Sequence, residues 1–214
     1  IPLQHITHQQ EFMKLNFYVD NNVLIPRADT EILVEEVIAI AKKTEAKKIL
    51  DLCTGSGAIA VSLAKYIEKS QITAVDISEK ALKIAQKNAM NNDVESQIIF
   101  VKSNLFENLP NDKYDIIVSN PPYIKRRVIN TLSKEVKNEP TIALDGGEDG
   151  LDFYRKILKN GYEYLKYRGY ICLEIGYDQK YDVIELIENE GKYRDTYSKK
   201  DLFNNDRVIV TRLA

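Results

Sequence analysis

"KKILDLCTGSGAIAVSLA", residues 47–64, joins a short apolar run to a glycine-containing loop and then to a segment whose apolar residues recur at helical spacing. The run 47–52 is continuous and mostly apolar, which is typical of a strand covered on both faces. Gly55 and Gly57 let the backbone turn sharply and approach a ligand without a Cβ in the way. The helix that follows offers free N–H groups in its first turn. The stretch therefore predicts a strand, a nucleotide-type loop and a helix, in that order.

Similar apolar runs recur along the chain and alternate with helical patterns. Residues 78–92 carry apolar side chains at helical spacing, and Ser78 is the predicted N-cap of that helix. Such βαβ repetition predicts a parallel, doubly wound α/β sheet, whose ligand site lies at the carboxyl ends of the strands. The predicted strands span residues 47–52, 71–76, 97–101, 114–119, 170–176 and, at the end of the chain, 206–213.

The length and composition are those of one large domain. The chain has 214 residues, and 44% of them are hydrophobic, which is ample for a single core. Residues 1–28 are predicted to form an N-terminal segment with a β-hairpin that turns at 20–22, because Asp-Asn-Asn stands there between apolar runs. Residues 29–214, which open with a helix from about Asp29, are predicted to form the main domain.

Charge, hydropathy and the cysteine and histidine residues limit which partners and which cellular compartment the sequence is compatible with. The net charge is −2, so no global basic field draws the chain to nucleic acid, and we expect no stable complex with it. No apolar run is long enough to span a bilayer, which argues against a membrane protein. Cys53 and Cys172 lie far apart in apolar runs, which favours reduced thiols in a cytoplasmic protein. Because His5 and His8 have no third ligand nearby, we expect no metal site.

Two carboxylates flank the glycine loop and indicate what it binds. Asp76 ends the second predicted strand, where its carboxylate can accept hydrogen bonds from both hydroxyls of a ribose. Residues 55–60, "GSGAIA", also satisfy the loose G-x-G-x-x-A form of a dinucleotide fingerprint, so NAD is a rival ligand. Asp51 stands at the end of the first strand, where its charge would repel a pyrophosphate but suit the ammonium and sulfonium of S-adenosylmethionine. The loop and Asp76 together favour the methyl donor over NAD.

A second motif, "YDIIVSNPPYI" at 114–124, consists of the fourth predicted strand and the five residues that follow it. Proline fixes its own backbone angle and pushes the preceding residue toward extended geometry, so Asn120 leaves the strand in one direction. The side-chain oxygen of Asn120 and the carbonyl of Pro121 can both accept hydrogen bonds from one NH₂ group. Held in this way, the nitrogen lone pair would face a methyl carbon for in-line displacement. The ring of Tyr123 can pack against a flat acceptor, which suits an amide or a nucleobase.

These motifs resemble those of the release factor glutamine methyltransferases, also called the HemK or PrmC family. The resemblance covers nearly the whole chain. "FYVDNNVLIPRADTEILVE" (17–35) is similar to the family's entry segment, "DLCTGSGAIAVSLA" (51–64) to its donor loop and "NPPYI" (120–124) to its acceptor motif. Other amino-group methyltransferases share "NPPY". "EPTIALDGGEDGLDFYRKI" (139–157) is a much more specific signature, and "LEIGYDQ" (173–179) is a further one.

The resemblance implies both a fold and a reaction. The implied fold is the Rossmann-like sheet of class I methyltransferases, a doubly wound α/β sheet with seven strands, the last of them antiparallel. The implied reaction transfers a methyl group from S-adenosyl-L-methionine to the side-chain nitrogen of a glutamine. That glutamine belongs to the Gly-Gly-Gln motif of peptide chain release factors, which are therefore the expected protein partners.

Carried over residue by residue, the resemblance also assigns a site. The substrate contacts fall on Asn120, Pro121, Pro122 and Tyr123. Taken with the argument for Asp51, the expected donor-binding residues are Asp51, Cys53, Thr54, Gly55, Ser56, Gly57, Asp76, Ile77, Asn104, Leu105 and Asn120. Family members often hold an acid at the place of Asn104 and an aromatic residue at the place of Leu105. In this chain, adenine would rest on an aliphatic side chain and meet an amide.

Two other functions stay open on the residues alone. Methylation of a nucleobase amino group, such as N6 of adenine, shares all of this chemistry, and a nicotinamide-dependent oxidoreductase or a non-catalytic nucleotide-binding domain shares the loop. The absence of a basic surface and the presence of the later signatures favour methylation of a glutamine over these two functions. The family usually carries a helical N-terminal domain, and this chain begins where that domain would end. We therefore expect either an excised catalytic domain or a shortened relative.

Overall fold

The structure is a computed structural model that describes residues 2–214. Helices and strands alternate through most of it, and several single 3₁₀ turns lie between them. The helices are α1 (Leu3–Thr7), α2 (Ala28–Thr44), α3 (Ala58–Tyr66), α4 (Glu79–Asn91), α5 (Arg126–Ile129), α6 (Asp152–Gly161) and α7 (Lys180–Glu190). The strands are β1 (Gln10–Phe12), β2 (Leu15–Phe17), β3 (Lys48–Leu52), β4 (Gln71–Asp76), β5 (Ile98–Lys102), β6 (Tyr114–Ser119), β7 (Leu165–Glu174), β8 (Tyr193–Lys200) and β9 (Asp206–Leu213).

The main sheet has seven strands in the order β5-β4-β3-β6-β7-β9-β8. β5, β4, β3, β6 and β7 pair in parallel, whereas β9 is antiparallel to both β7 and β8. The predicted seven-stranded, doubly wound α/β sheet with an antiparallel last strand is confirmed. The strand order reverses between β3 and β6, and such a switch point opens a crevice at the carboxyl ends of the strands.

Two apolar layers cover the two faces of the sheet. Adjacent residues of β3 point to opposite faces, since Ile49 belongs to one buried cluster and Leu50 to the other. The cluster around Ile49 includes apolar residues of α2 and α3, such as Leu33 and Leu63. The cluster around Leu50 includes residues of α6 and α7, such as Ile157. Because the strands are buried on both faces, their apolar runs are continuous, and this made them recognisable in the sequence.

Most of the predicted strands have nearly the predicted bounds, but two outcomes differ. β7 begins at Leu165, five residues before the predicted start at 170. β8 was not predicted from the sequence pattern, because most of its side chains are exposed or half-buried at the edge of the sheet. An edge strand that faces water need not carry an apolar run, so its sequence resembles that of a loop.

The N-terminal β-hairpin exists, but the predicted turn at 20–22 is wrong. β1 and β2 pair around Met13 and Lys14, whose φ angles of 50° and 58° are those of a tight hairpin turn. The chain reverses at Met13 and Lys14 because this register packs Phe12 and Phe17 against each other. Both rings are then buried in the apolar cluster that includes residues of α2. Asp20 does form a turn, in which its carboxylate accepts the Asn22 N–H at 2.8 Å, but no strand follows it. The division at residues 28 and 29 stays a prediction.

Candidate active site

A cleft opens at the carboxyl ends of β3, β4 and β6, where the switch point predicts a ligand site. It encloses about 1030 Å³ of space, open solvent at its mouth included. The lining residues come from the N-terminal segment, the first turn of α2, the ends of β3, β4 and β5 with the residues that follow them, and the chain after β6. They include Asn22, Val23, Leu24, Pro26, Arg27, Thr30, Cys53, Thr54, Gly55, Ser56, Ala58, Ile59, Asp76, Ile77, Ser78, Asn104, Leu105, Asn120, Pro122, Pro140, Ile142, Ala143 and Phe153.

The glycine loop between β3 and α3 is held by backbone hydrogen bonds. The Thr54 N–H donates to Val75 O at 2.9 Å, and the Gly57 N–H donates to Thr54 O at 2.8 Å. Gly57, at φ 79°, packs so closely on α4 that a Cβ on it would lie 2.9 Å from the Cβ of Ala85. Gly55, at φ 56°, is different, since no described atom lies within 4 Å of its Cβ position. Gly57 therefore serves the packing of the loop, and Gly55 leaves its side of the loop open to a ligand.

Asp76 joins the end of β4 to this loop. One carboxylate oxygen accepts the Gly55 N–H at 2.9 Å, and the other accepts the Ser78 N–H at 2.9 Å. Burial raises the pKa of Asp76, and these backbone hydrogen bonds oppose that rise. Each oxygen keeps a second lone pair, and Asp76 lines the cleft, so both oxygens can still accept from ribose hydroxyls. Ser78 is the N-cap of α4, as predicted, and accepts the Ala81 N–H at 3.2 Å.

Asp51 lies beneath the loop rather than in the cleft wall. It is fully buried, and its Oδ2 accepts the Thr54 hydroxyl at 2.6 Å. Its Oδ1 is buried without a hydrogen-bond partner among residues 2–214. Burial, with the nearby charge of Asp76, raises the pKa of Asp51 to about 7. An unsatisfied carboxylate oxygen beside the loop is the kind of group that the ammonium of an amino acid would satisfy.

The part of the cleft beyond Asp76 is apolar. Ile77 and Leu105 both line it, with Ile77 47% exposed and Leu105 buried at the unusual φ of 51°. The Asn104 amide also faces the cleft and donates to Glu107 at 2.7 Å. Two aliphatic side chains in the wall can contact a flat apolar ring. The binding of adenine against Leu105 stays a prediction.

The Asn-Pro-Pro-Tyr segment leaves β6 at the other side of the cleft, and the structure places its four residues differently. Asn120 and Pro122 line the cleft, whereas Pro121 is buried outside its wall. The Asn120 Nδ2 donates to Thr30 Oγ1 at 3.2 Å. Its Oδ1 accepts no hydrogen bond from any described residue, so this acceptor is available to a ligand.

Tyr123 points away from the cleft in the described chain. Its hydroxyl donates to Glu174 Oε1 at 3.3 Å, and its ring packs against the buried cluster around Leu50. Burial and the neighbouring Glu174 carboxylate raise the pKa of this hydroxyl. The aromatic side chain that does line the cleft is Phe153, at the start of α6. The stacking of the Tyr123 ring on an acceptor therefore stays a prediction.

The backbone of Tyr123 is held from three sides. The Gln179 Nε2 donates to Tyr123 O at 3.0 Å and to Gly150 O at 3.1 Å. A Cβ on Gly146 would lie 2.7 Å from Tyr123 Cα, and a Cβ on Gly150 would lie 2.5 Å from Tyr123 O. Real Cβ atoms do not approach so closely, so both positions require glycine if this loop is to stay in place.

Thr30, Glu174 and Gln179 contact the acceptor motif but were not predicted from the sequence. Each lies inside a stretch similar to a family signature, at 17–35 for Thr30 and at 173–179 for the other two. The pattern showed no role for them, because their partners in the acceptor motif lie 51 to 90 positions away. Only the folded chain brings them together.

A strap of residues 139–143 closes one side of the cleft. The Glu139 carboxylate is buried, accepts the Ile25 N–H at 3.0 Å and pairs with the Arg27 guanidinium. Pro140, Ile142 and Ala143 from the strap line the cleft. Since Glu139 ties the strap to the N-terminal segment, that segment contributes to the site although it precedes the predicted main domain.

Three further findings concern the described part of the chain only. Within residues 2–214, no group of three or more His, Cys, Asp or Glu side chains is arranged to hold a metal ion. None of the helices described is both long and apolar enough to cross a membrane. Cys53 and Cys172 are both free thiols.

Fold and cleft together define the class of protein, a Rossmann-like methyltransferase. Residues 28–148 match the methyltransferase small domain family. A methyltransferase from Pyrococcus furiosus has a similar fold, with a TM-score of 0.66 and 17% sequence identity over 94% of this chain and 89% of that one. The fold and the domain are those of enzymes that use S-adenosylmethionine. The unsatisfied Oδ1 of Asp51 and the open face of Gly55 fit that donor.

Sequence relatives identify the family within this class. The chain is 46% identical to the release factor glutamine methyltransferase of Fusobacterium nucleatum, over all of this chain and 60% of that protein. It is 43% identical to the release factor glutamine methyltransferase of Clostridium acetobutylicum, over 98% of this chain and 74% of that protein. The chain belongs to the release factor glutamine methyltransferase family, as the sequence motifs predicted. It spans about three fifths to three quarters of these two relatives.

Proposed function

We propose that this chain transfers a methyl group from S-adenosyl-L-methionine to the side-chain nitrogen of the glutamine in the Gly-Gly-Gln motif of peptide chain release factors. The observation that carries the proposal is the placement of Asn120. Its Nδ2 is engaged by Thr30, while its Oδ1 is available in the cleft that Asp76 and Gly55 line. A primary amide is a ligand that can donate to this oxygen from beside the donor loop.

In this proposal the donor lies along the glycine loop. The carboxylate of Asp76 accepts from the ribose hydroxyls, and Asp51 with Thr54 lies near the amino acid part. Ile77 and Leu105 contact the adenine, with Asn104 at its edge. The remaining part of the donor lies against the backbone of Cys53, Gly55, Ser56 and Gly57. This arrangement is supported by two observations. Gly55, Asp76, Ile77 and Leu105 line one cleft, and the Asp51 Oδ1 has no hydrogen-bond partner among residues 2–214.

The donor, when bound, supplies an electrophilic methyl group. The protein's part in the reaction is to position the acceptor. The Asn120 Oδ1 accepts one N–H of the glutamine amide, so that its nitrogen is turned toward the donor side. The Pro121 carbonyl, which is the second acceptor expected from the sequence, stays a prediction because Pro121 does not line the cleft. Proximity of this kind can supply much of the acceleration. No basic side chain has to remove a proton before the carbon–nitrogen bond forms. As that bond forms, the bond between the methyl carbon and the donor's sulfur breaks, and one of the two N–H protons of the amide leaves to solvent water.

Methylation of a nucleobase amino group would use the same residues, but nothing beyond the shared "NPPY" favours it. Three relatives that are 41 to 46% identical to this chain act, by name, on release factors. A cytoplasmic location is part of the same proposal, and the two free thiols are compatible with it.

Transfer of labelled methyl groups tests this function. The chain is incubated with labelled S-adenosylmethionine and, in parallel, with a release factor, the same factor in which Gly-Gly-Ala replaces Gly-Gly-Gln, and an adenine-containing DNA duplex. We expect label in the first protein only, at the glutamine, as located by mass spectrometry of its peptides. Label in DNA, or in the factor that lacks the glutamine, would refute the proposal.

A further inference from the structure

One buried side chain, that of Gln179, joins three loops behind the acceptor side of the cleft. Gln179 stands directly before α7 and is 2% exposed. Its Nε2 donates to Tyr123 O at 3.0 Å and to Gly150 O at 3.1 Å, and its Oε1 accepts the Gly176 N–H at 2.9 Å. A single carboxamide therefore links the acceptor motif, the loop before α6 and the turn between β7 and α7.

The orientation of this amide is fixed by groups that can bond it in one way only. The two ends of a carboxamide have nearly the same shape, but one end donates hydrogen bonds and the other accepts them. The Tyr123 and Gly150 carbonyls can only accept, and the Gly176 N–H can only donate. If the amide were rotated by half a turn, its oxygen would face two carbonyl oxygens and its NH₂ would face an N–H. The Gln179 side chain therefore holds the Tyr123 carbonyl in one defined direction.

Glycines lie against both ends of the amide. A Cβ on Gly150 would lie 2.7 Å from the Gln179 Nε2, and a Cβ on Gly176 would lie 2.8 Å from its Oε1. Real Cβ atoms do not approach so closely, so the backbone of both loops is packed directly on the amide. A change in the charge or shape of this side chain should therefore act on the backbone around it.

The acceptor motif depends on a support of this kind because of its two prolines. Pro121 and Pro122 have no N–H, so neither can fix the segment by donating a backbone hydrogen bond. The segment begins at Asn120, directly after β6, which pairs with β3 in the sheet. It ends at Tyr123, whose carbonyl is bonded to Gln179. Since both prolines also have fixed φ angles, few backbone angles can absorb a shift of Tyr123 before it reaches Asn120.

We propose that Gln179 is a positioning residue for methyl transfer, which holds the Tyr123 carbonyl and thereby sets where Asn120 presents its Oδ1 to the acceptor amide. This inference rests on the proposed function, because it assigns the Asn120 oxygen to an amide acceptor. It goes beyond that function, because Gln179 is not among the residues that line the cleft and acts only through the loop.

Substitution of Gln179 separates the bond to Tyr123 from the bond to Gly176. Gln179→Glu keeps the size of the side chain and an acceptor for the Gly176 N–H, but it places an oxygen against the two carbonyl oxygens. With a Gly-Gly-Gln peptide at saturating donor, we expect turnover to fall at least about tenfold, the size of one lost hydrogen bond. The donor dissociation constant, measured by calorimetry, should change by less than about twofold.

A second variant, Gln179→Met, has a similar length and no charge, and it also lacks the NH₂ donor. It should lose turnover in the same way, and it decides the matter if Gln179→Glu does not fold. Native turnover in either folded variant would overturn the inference, because the bond to Tyr123 would then be dispensable.

A matched control is the buried amide of Asn92, at the end of α4. Its Nδ2 also donates to two backbone carbonyls, Asn16 O at 3.1 Å and Asn88 O at 2.9 Å, but Asn92 does not line the cleft or contact the acceptor motif. Asn92→Asp makes the same chemical change as Gln179→Glu. We expect its melting temperature to fall while the folded protein keeps native turnover. An equal loss of turnover in this control would mean that any buried amide has this effect, and would overturn the inference.

An NMR measurement tests the same inference without catalysis. In the native chain, both Nε2 protons of Gln179 should exchange slowly with solvent, because each is donated to a carbonyl. The Asn120 side-chain signals should shift in both Gln179 variants and stay in place in Asn92→Asp. Fast exchange of the Gln179 protons in the native chain, or unmoved Asn120 signals in the variants, would overturn the inference.

The same experiments distinguish this inference from the proposed function. If the native chain transferred no methyl group to any Gly-Gly-Gln substrate, the proposed function would be refuted. The Asn120 signals would still decide whether Gln179 positions that residue. Transfer by the native chain together with full turnover in both Gln179 variants would leave the proposed function in place and overturn the inference alone.

Discussion

The two sides of the cleft are built in different ways. On the donor side, which comprises the loop 51–57 and Asp76, the hydrogen bonds join residues close in sequence. Thr54 and Asp51 are 3 positions apart, and Gly55 and Asp76 are 21 apart. On the acceptor side, which comprises Asn120 to Tyr123, the partners Thr30, Glu174 and Gln179 lie 90, 51 and 56 positions away.

Because the two sides are built separately, we expect one to determine binding of the methyl donor and the other to determine turnover. The donor side is one strand, one loop and the end of the next strand, so its shape follows from a single βαβ unit. The acceptor side is a stiff loop whose direction is held by α2, β7 and the chain around Gly150. Changes on the donor side should therefore alter binding of the methyl donor, and changes on the acceptor side should alter turnover at saturating donor.

The largest effect is expected for Asp76→Ala, which damages the donor side alone. The substitution removes the acceptors for two ribose hydroxyls, each charge-assisted hydrogen bond being worth roughly 1.5–3 kcal/mol. It also frees the Gly55 and Ser78 N–H groups that the carboxylate now holds. The dissociation constant of S-adenosylmethionine, measured by calorimetry, should rise at least about 100-fold.

The matched control for this prediction is Asp112→Ala. Asp112 is also a carboxylate beside the sheet, but it pairs with Lys48 at the amino end of β3, away from the cleft. Donor affinity should be unchanged in the control. Unchanged affinity in Asp76→Ala itself would remove Asp76 from the donor site, and tighter binding of NAD than of S-adenosylmethionine to the native chain would overturn the assignment of the whole loop.

A somewhat smaller effect, in a different quantity, is expected for Asn120. Asn120→Ala removes an acceptor that holds the substrate amide, and turnover should fall about 100-fold while donor affinity stays within about twofold. Asn120→Asp keeps an acceptor oxygen but adds a negative charge near the cationic donor. That attraction weakens as the positive charge disappears during transfer, so the barrier rises. We expect turnover to decrease in the order native, Asn120→Asp, Asn120→Ala.

Single-turnover rates with a Gly-Gly-Gln peptide at saturating donor measure this order. A rate for Asn120→Ala equal to that of the native chain would show that Asn120 does not position the acceptor. A parallel loss of donor affinity would show that the two sides of the cleft are not independent, and would break the comparison on which these predictions are based.

The smallest effect concerns the buried carboxyl on each side, Asp51 and Glu174. The pKa of each is raised to about 7, above its ordinary value of 3.8 or 4.5, because of burial. A raised carboxyl pKa means that stability is fully present below the ordinary pKa and is lost as the pH rises through about 7. Asparagine does not titrate, so Asp51→Asn does not lose the part of the folding stability that the native chain loses when Asp51 ionises. Between pH 5 and 8, its melting temperature should therefore fall by a few degrees less than that of the native chain.

Added donor should distinguish the two carboxyls. If Asp51 lies beside the donor's ammonium, saturating S-adenosylmethionine should lower the pKa of Asp51 and abolish the difference in pH dependence between Asp51→Asn and the native chain. The corresponding difference for Glu174→Gln should persist, because Glu174 lies on the acceptor side. Melting curves from circular dichroism at several pH values measure both. Parallel curves for the native chain and Asp51→Asn without donor would contradict the raised pKa.

The sheet and the donor loop follow from short-range chemistry that the sequence displays directly. Strands buried on both faces require continuous apolar runs, and β4, β6 and β9 have the predicted bounds. Gly55 and Gly57 turn the loop at positive φ directly after β3, and a serine at the N-cap of α4 accepts a backbone N–H. Each of these requirements is met within a few residues, so a local pattern is enough to predict it.

The edge strand, the hairpin turn and the supports of the acceptor motif were decided only by tertiary packing. β8 is half exposed and pairs with β9 on one side, so its own residues carry little strand signal. The hairpin turns at Met13 and Lys14 because that register buries two phenylalanines, although Asp-Asn-Asn is the stronger local turn sequence. Thr30, Glu174 and Gln179 gain their roles from partners tens of residues away. Hydrogen-bond partners and burial of this kind exist only after the chain has folded, and no local pattern records them.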